Sequence, residues 1–239
     1  MPDLTRPVAG PYDSNACLTA LAAIVPQHES SILVNAPHFS TKERILGAAE
    51  TLFARHGFAG ASLRQVTAAA NVNLAAVNYH FGSKDNLIEE VFRRRLDELN
   101  ARRLDALNAA LTADSPRLED VLGAFIRPAL ELSLDETGGH AFMRVLARAY
   151  AEHDERLRKF LSDNYGHVLR DFAAAFGRLL PHLDKEELYW RLDFITGALT
   201  HSMADFGPMK RRGQVTEEAH RERAAAHLIR FAVAGLMAD

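Results

Sequence analysis

SLRQVTAAANVNLAAVNYHF, residues 62–81, holds two short helices and the tight turn between them. Ser62 and Gln65 have the spacing of a capping box, and Leu63, Val66 and Ala70 then give a narrow apolar stripe. Asn71, a residue tolerant of the left-handed backbone conformation, ends that helix. Asn73 is placed to cap the next, in which Leu74, Val77 and Phe81 share a face at spacings of three and four before Gly82 stops it. Two helices this short, separated by so few residues, match a helix-turn-helix, whose second helix enters a major groove.

If Leu74, Val77 and Phe81 face the core, then Ala75, Ala76 and Tyr79 face outward, flanked by Asn78 and His80. Two alanines let a helix backbone approach base edges and offer methyl contacts to thymine, and Asn78 can pair bidentately with adenine. Arg64, Tyr79, His80 and Lys84 are placed for phosphates, and the helix N-termini at Ser62 and Ser83 favour anions. The plainer alternative is a helical hairpin inside a bundle, with Tyr79 and His80 as ordinary surface or core residues.

Working outward, Ser40 and Glu43 form another capping box, and Ile45, Ala49, Leu52 and Phe53 fall on one helical face until Gly57. Residues 1–37 carry five prolines and few charges and read as a flexible arm. Ser83 opens a long helix with apolar positions Leu87, Val91, Leu96, Leu99, Leu104, Leu107 and Leu111, a natural connector. Beyond Pro116 helices are expected at about 116–134, 140–151, 154–180, 184–206 and 216–237, with a kink at Pro128 that opens space beside Phe125. No strand pattern competes, so the fold class is all-α. The expected organisation is an arm over 1–37, a DNA-binding domain over 38–98, and a helical ligand-binding and dimerisation domain over 99–239.

Composition narrows the function classes. The single cysteine, Cys17, excludes an internal disulfide framework and points to a reducing compartment, the cytoplasm by default. No uninterrupted apolar run approaches the roughly 20 residues that span a bilayer, so no membrane partner is expected. The net charge is −3, yet between His38 and Leu96 eight Lys and Arg face five Asp and Glu, so the expected DNA-binding part is basic and the rest acidic. Phosphate-binding, dinucleotide-binding, zinc-protease and nucleophile-elbow motifs are all missing, so no enzyme, catalytic residue or cofactor is expected. His201 and Asp205 stand one turn apart, but two ligands without a third do not make a metal site.

The stretch from Ile45 to Leu87, containing AAETLFARHGFAGASLRQVTAAANVNLAAVNYHFGSKDNL, resembles the DNA-binding domain of TetR-family regulators. It carries that family's A-x-x-L-F-x-x-x-G-F first helix, the Y-H-F end of its third, and the S-K-[DE]-x-L start of its fourth. The resemblance implies base contacts from Leu74, Ala75 and Asn78 and phosphate contacts from Arg64, Ala76, His80 and Lys84. Ser62, Asn73 and Tyr79 complete the candidate DNA-binding set. Leu74 and Ala76 stand where polar and hydroxyl side chains are frequent in the family.

A helix-turn-helix this small reads a two-part, palindromic site as a two-fold dimer. On the last two helices, Ile195, Leu199, Met203, Leu228, Ala232 and Leu236 lie on broad apolar faces suited to an intersubunit four-helix bundle or, equally, to an intrachain core. The segments FMRVLARAY, LRKFLSDNYGHVLRDF and ELYWRLDFITGALTHSM are similar to the PsrA-type branch, which responds to long-chain fatty acids. This implies a repressor released by a small hydrophobic ligand. Candidate pocket residues are Phe125, Phe142, Met143, Leu146, Tyr150, Phe160, Tyr165, Trp190 and Phe194, with Arg144 or Arg148 for a carboxylate. Aromatics at helical spacing are more often core than pocket, and both arginines also fit salt bridges.

Overall fold

The computed structural model describes residues 39–133, 138–152, 154–203 and 215–238, with the backbone alone at 150 and 151. The expected arm, residues 1–37, and Asp205 lie outside the described residues, as does the side chain of Tyr150. The described residues form α1 (Thr41–Gly60), α2 (Leu63–Ala70), α3 (Leu74–Phe81), α4 (Lys84–Leu111), α5 (Leu118–Leu132), α6 (Gly139–Ala151), α7 (Glu155–Leu179), α8 (Lys185–Met203) and α9 (Glu217–Met237). The protein is all-α.

The caps explain where the first helices begin. Ser40 Oγ accepts from the Glu43 backbone N–H at 3.2 Å, and Glu43 Oε2 accepts from the Ser40 N–H at 2.7 Å. That second bond holds the Glu43 carboxyl below its ordinary value. Gly57, with φ 74° and ψ 174°, breaks α1 three residues before its end, at the position where the sequence stops the helix. Ser62 and Gln65 form the second reciprocal box.

The turn after α2 is a Schellman motif: Asn71 sits at φ 51° and ψ 55°, its N–H donates to Ala68 O at 3.3 Å, and Val72 N–H donates to Thr67 O at 3.0 Å. Asn73 Oδ1 then accepts from Ala76 N–H at 2.9 Å to begin α3. The geometry between α2 and α3 is therefore fixed by backbone bonds and two asparagines.

Ile45, Ala49 and Phe53 of α1 join Val66, Ala70, Val77, Phe81, Leu87 and Val91 in the core. Two expectations for α3 are corrected. Leu74 is 45% exposed rather than buried, whereas Ala76 is half-buried against the core rather than outward. Leu74 is the first residue of an eight-residue helix, one turn before Val77, and projects past the end of the core that Val77 and Phe81 close.

α4 is 28 residues long, about 42 Å at 1.5 Å per residue, and the expected boundary at 98–99 falls inside it. Its first half meets α1 through Lys42–Glu90 and Glu50–Arg95 and α7 through Asp85 and Glu89, and its second half meets α5 through Arg102 and Arg103. A run of rings, Phe53–Phe58 at 5.6 Å, Phe58–Phe92 at 6.3 Å and Phe92–Phe142 at 5.6 Å, joins α1 to α4 and α6. α5 continues unbroken through the buried Pro128.

Arg95 of α4 donates from Nε and Nη2 to the two carboxylate oxygens of Glu50 on α1, both at 3.1 Å, with both side chains buried. Gly138, at φ +118°, closes over this pair: a Cβ there would stand 2.6 Å from Glu50 Oε1 and 2.7 Å from Arg95 Nη2. Only glycine accommodates both that backbone conformation and that approach.

Candidate nucleic-acid interface and ligand cavity

The outer face of α3 carries Leu74, Ala75, Asn78, Tyr79 and His80, all exposed, with Tyr79 at 86%. The Tyr79 and His80 rings meet edge-on at 5.1 Å. Arg64 is exposed at the start of α2 and Lys84 half-exposed at the start of α4, and neither makes an ion pair among the described residues. Ser62 and Asn73 spend their side-chain oxygens on the caps, so they position the helices that carry the other candidates.

A groove beside α3 is lined by Thr41, Arg44, Thr67, Asn71, Asn73 and Ala76. It adds Thr41 and Arg44, at the start of α1, to the basic, hydrogen-bonding rim. Sequence reading missed both, because the first helix carries no recognition motif; the cue was Arg44 next to a helix N-terminus.

Within the helical body a cavity of about 370 Å³ lies among α4, α5, α6, α7 and α8. Phe125, Leu146 and Tyr165 of the expected set line it, together with Asn100, Arg103, Arg158, Ser162, Thr196 and Thr200, which sequence reading did not pick out. The Tyr165 hydroxyl donates to Asp97 Oδ1 at 2.7 Å, and burial, reinforced by that carboxylate, pushes the phenol well above its ordinary range. The Arg103 guanidinium lies 4.1 Å over the Phe125 ring, and its Nε donates to Phe125 O at 3.0 Å.

Other expected pocket residues stand elsewhere. Phe142 packs on Phe92, Met143 is buried core, and Phe160 lies beneath the Arg93 guanidinium at 4.8 Å. Arg144 is exposed and outside the cavity wall. Arg148 reaches α1 instead, donating from Nε to Ala54 O at 3.2 Å and from Nη2 to Arg55 O at 3.3 Å, just before the Gly57 break. Arg156 makes a parallel tie from α7 to Asp85, Asn86 and Glu89 in the first turns of α4. Each exposed pair is worth about 0–1 kcal/mol, but together they join α6 and α7 to the helices behind the recognition helix.

Trp190 and Phe194 are exposed on α8, with ring centroids 6.0 Å apart, and not in the cavity. Conversely, Ile195, Leu199, Met203, Leu228, Ala232 and Leu236, expected at a dimer interface, are all buried within the single chain. The outward stripes of the same two helices are Trp190, Phe194, Gly197 and His201 on α8 and His227, Phe231 and Ala234 on α9, each following a spacing of four and then three.

An exposed recognition helix on a three-helix unit, carried by a helical body with an internal cavity, defines the class of helix-turn-helix regulators. Residues 45–91 match the model "Bacterial regulatory proteins, tetR family", and residues 123–235 match "Tetracyclin repressor-like, C-terminal domain". The chain belongs to the TetR family of bacterial regulatory proteins.

Among curated relatives, "Probable HTH-type transcriptional regulator YttP" of Bacillus subtilis is 40% identical over 52 residues, 22% of this chain and 25% of that protein. The HTH-type transcriptional regulator BetI of Burkholderia thailandensis is 28% identical over 128 residues, 52% of this chain and 62% of its own length. The matched segments thus span a quarter of one relative and under two thirds of the other. A TetR-family regulator from Bordetella parapertussis has the same fold, with a TM-score of 0.60 at 18% identity over 78% of this chain and 93% of that one. A regulator from Rhodococcus sp. Rha1 matches at a TM-score of 0.54 and 22% identity, over 82% and 97%. No helix among the described residues is long and apolar enough to cross a membrane.

Proposed function

We propose that the chain is a homodimeric repressor that binds a palindromic operator through α3 and releases it when a hydrophobic small molecule, a long-chain fatty acid or acyl derivative, enters the helical body. The observation that carries this reading is shared structure. α4 and α6 both bound the cavity, and the same two helices hold α1 through the Glu50–Arg95 pair and the Arg148 bonds. A ligand that favours one setting of these helices shifts the population towards recognition helices wrongly spaced for successive major grooves, about 34–36 Å apart. The acyl ligand is supported by the apolar cavity walls and the PsrA-type likeness of the C-terminal helices.

The deciding experiment is a mobility-shift titration of a palindromic fragment, first against salt and then against fatty acids. Binding should fall steeply with salt as phosphate contacts release counterions, whereas a flat response would favour a protein-interaction role. Arg64→Ala and Lys84→Ala should each weaken binding on all sequences and reduce the salt slope by about 1. Asn78→Ala should cost about 1–3 kcal/mol at the preferred site and relax preference at one base position, read from selected fragments. Tyr79→Ala should abolish operator binding while leaving oligomeric state and ligand affinity intact. If fatty acids of every chain length fail to release DNA, the acyl ligand is wrong.

A further inference from the structure

Resting on that reading of a ligand-responsive body, we infer that its two cavities form one polarised channel for an anionic amphiphile, with the head on Arg158 and the tail passing a neck at Thr196. A second cavity, of about 210 Å³, adjoins the first and shares Phe125, Leu169 and Thr196 with it. The two differ in chemistry. The first has Arg158, Ser162, Asn100 and Thr200 in its wall, whereas Leu122, Phe172, Phe176, Leu192 and Ile195 dominate the second. Together they fall within the size range of small-molecule sites, roughly 300–1,000 Å³.

α7 sets the axis. Arg158, Ser162, Gly166 and Leu169 follow one another along one helical face, and Phe172 and Phe176 continue into the second cavity. From Arg158 to Phe176 the helix rises about 27 Å, so the site suits a long, linear ligand rather than a compact one.

Charge sets the direction. Arg158, exposed at the wall of the first cavity, makes no ion pair among the described residues, although its neighbours Arg156 and Lys159 are paired with Asp85 and Asp163. Arg103 is committed to Phe125 O and Asn100 and shapes the wall. At the far end Asp193 borders the second cavity, where it repels an anion. A carboxylate head is thus drawn to Arg158, and Arg144 and Arg148, the partners expected from sequence, are not at the site.

The test is calorimetric titration of the full chain with octanoate, dodecanoate and hexadecanoate and with the methyl ester of hexadecanoate. Arg158→Gln should weaken hexadecanoate binding roughly tenfold or more, as loss of a charge-assisted contact does, and leave the ester unchanged. Thr196→Phe should weaken hexadecanoate at least as much while sparing octanoate, and Leu169→Trp, at an exposed position, should repeat that pattern if Thr196→Phe fails to fold. Equal binding of acid and ester by wild type and Arg158→Gln would overturn the head assignment. Equal weakening of all chain lengths by the neck variants would overturn the single channel. If wild type binds none of these probes, the channel is overturned; if it binds them and still holds DNA, the channel stands and the ligand-released repressor does not.

Discussion

A Phe194→Glu, Phe231→Glu double variant is expected to elute as a monomer and to bind operator about 10²–10⁴-fold more weakly than wild type, because the second half-site contact is no longer intramolecular. The two phenylalanines are 65% and 68% exposed and sit at the centres of matching stripes on α8 and α9. Single exposed apolar residues are ordinary, but Tyr189, Trp190, Phe194, Phe231 and Met237 gathered on two helices make an apolar surface of the kind that the proposed dimer requires. The glycines help: a Cβ at Gly197 or Gly235 meets nothing within 4 Å, which leaves room for a partner helix to approach. Two such pairs of helices related by a two-fold axis make a four-helix bundle. Light scattering reads the oligomeric state, and unchanged helicity and ligand affinity would separate dimer loss from unfolding. A variant that stays dimeric would move the interface elsewhere.

Glu50→Ala is expected to destabilise the protein by about 3–5 kcal/mol, since it leaves the Arg95 guanidinium buried without its bidentate partner. Chemical denaturation would measure it. Glu50→Leu combined with Arg95→Met should recover most of the loss, because two well-packed apolar side chains carry no desolvation penalty. Gly138→Ala should also destabilise, through both its positive φ and the close approach of a new Cβ to the pair. Recovery of stability without recovery of ligand response in the double variant would mark the pair as part of the link between cavity and DNA.

Much of the fold was legible in the sequence because the helix ends are written in local chemistry. Ser40, Ser62, Asn71, Asn73 and Gly82 each stop or start a helix through their own backbone or side chain, and the structure keeps every one of them in that role. What was illegible was which side of an apolar helix meets the chain and which meets solvent. α8 and α9 are apolar on two faces, so periodicity cannot separate Leu199 and Leu228 from Phe194 and Phe231, and only packing within the chain, α8 on α6 and α7 and α9 on α5, distinguishes them. The cavity was hidden for a related reason. Phe142 and Phe160 look like pocket aromatics, but voids lie where packing fails, which depends on five helices at once. Leu74 misled because in an eight-residue helix one residue at the edge of the stripe has no second turn behind it to hold it on the core.

The division of α3 into two faces has an evolutionary consequence. Val77 and Phe81 hold the helix down, and the Schellman turn sets its angle through backbone bonds, so Leu74, Ala75 and Asn78 contribute almost nothing to folding. Substitutions there should change stability by no more than about 0.5 kcal/mol. Operator preference can therefore drift or be reprogrammed freely, and a duplicated copy of this chain could acquire new target genes before anything else in it had to change.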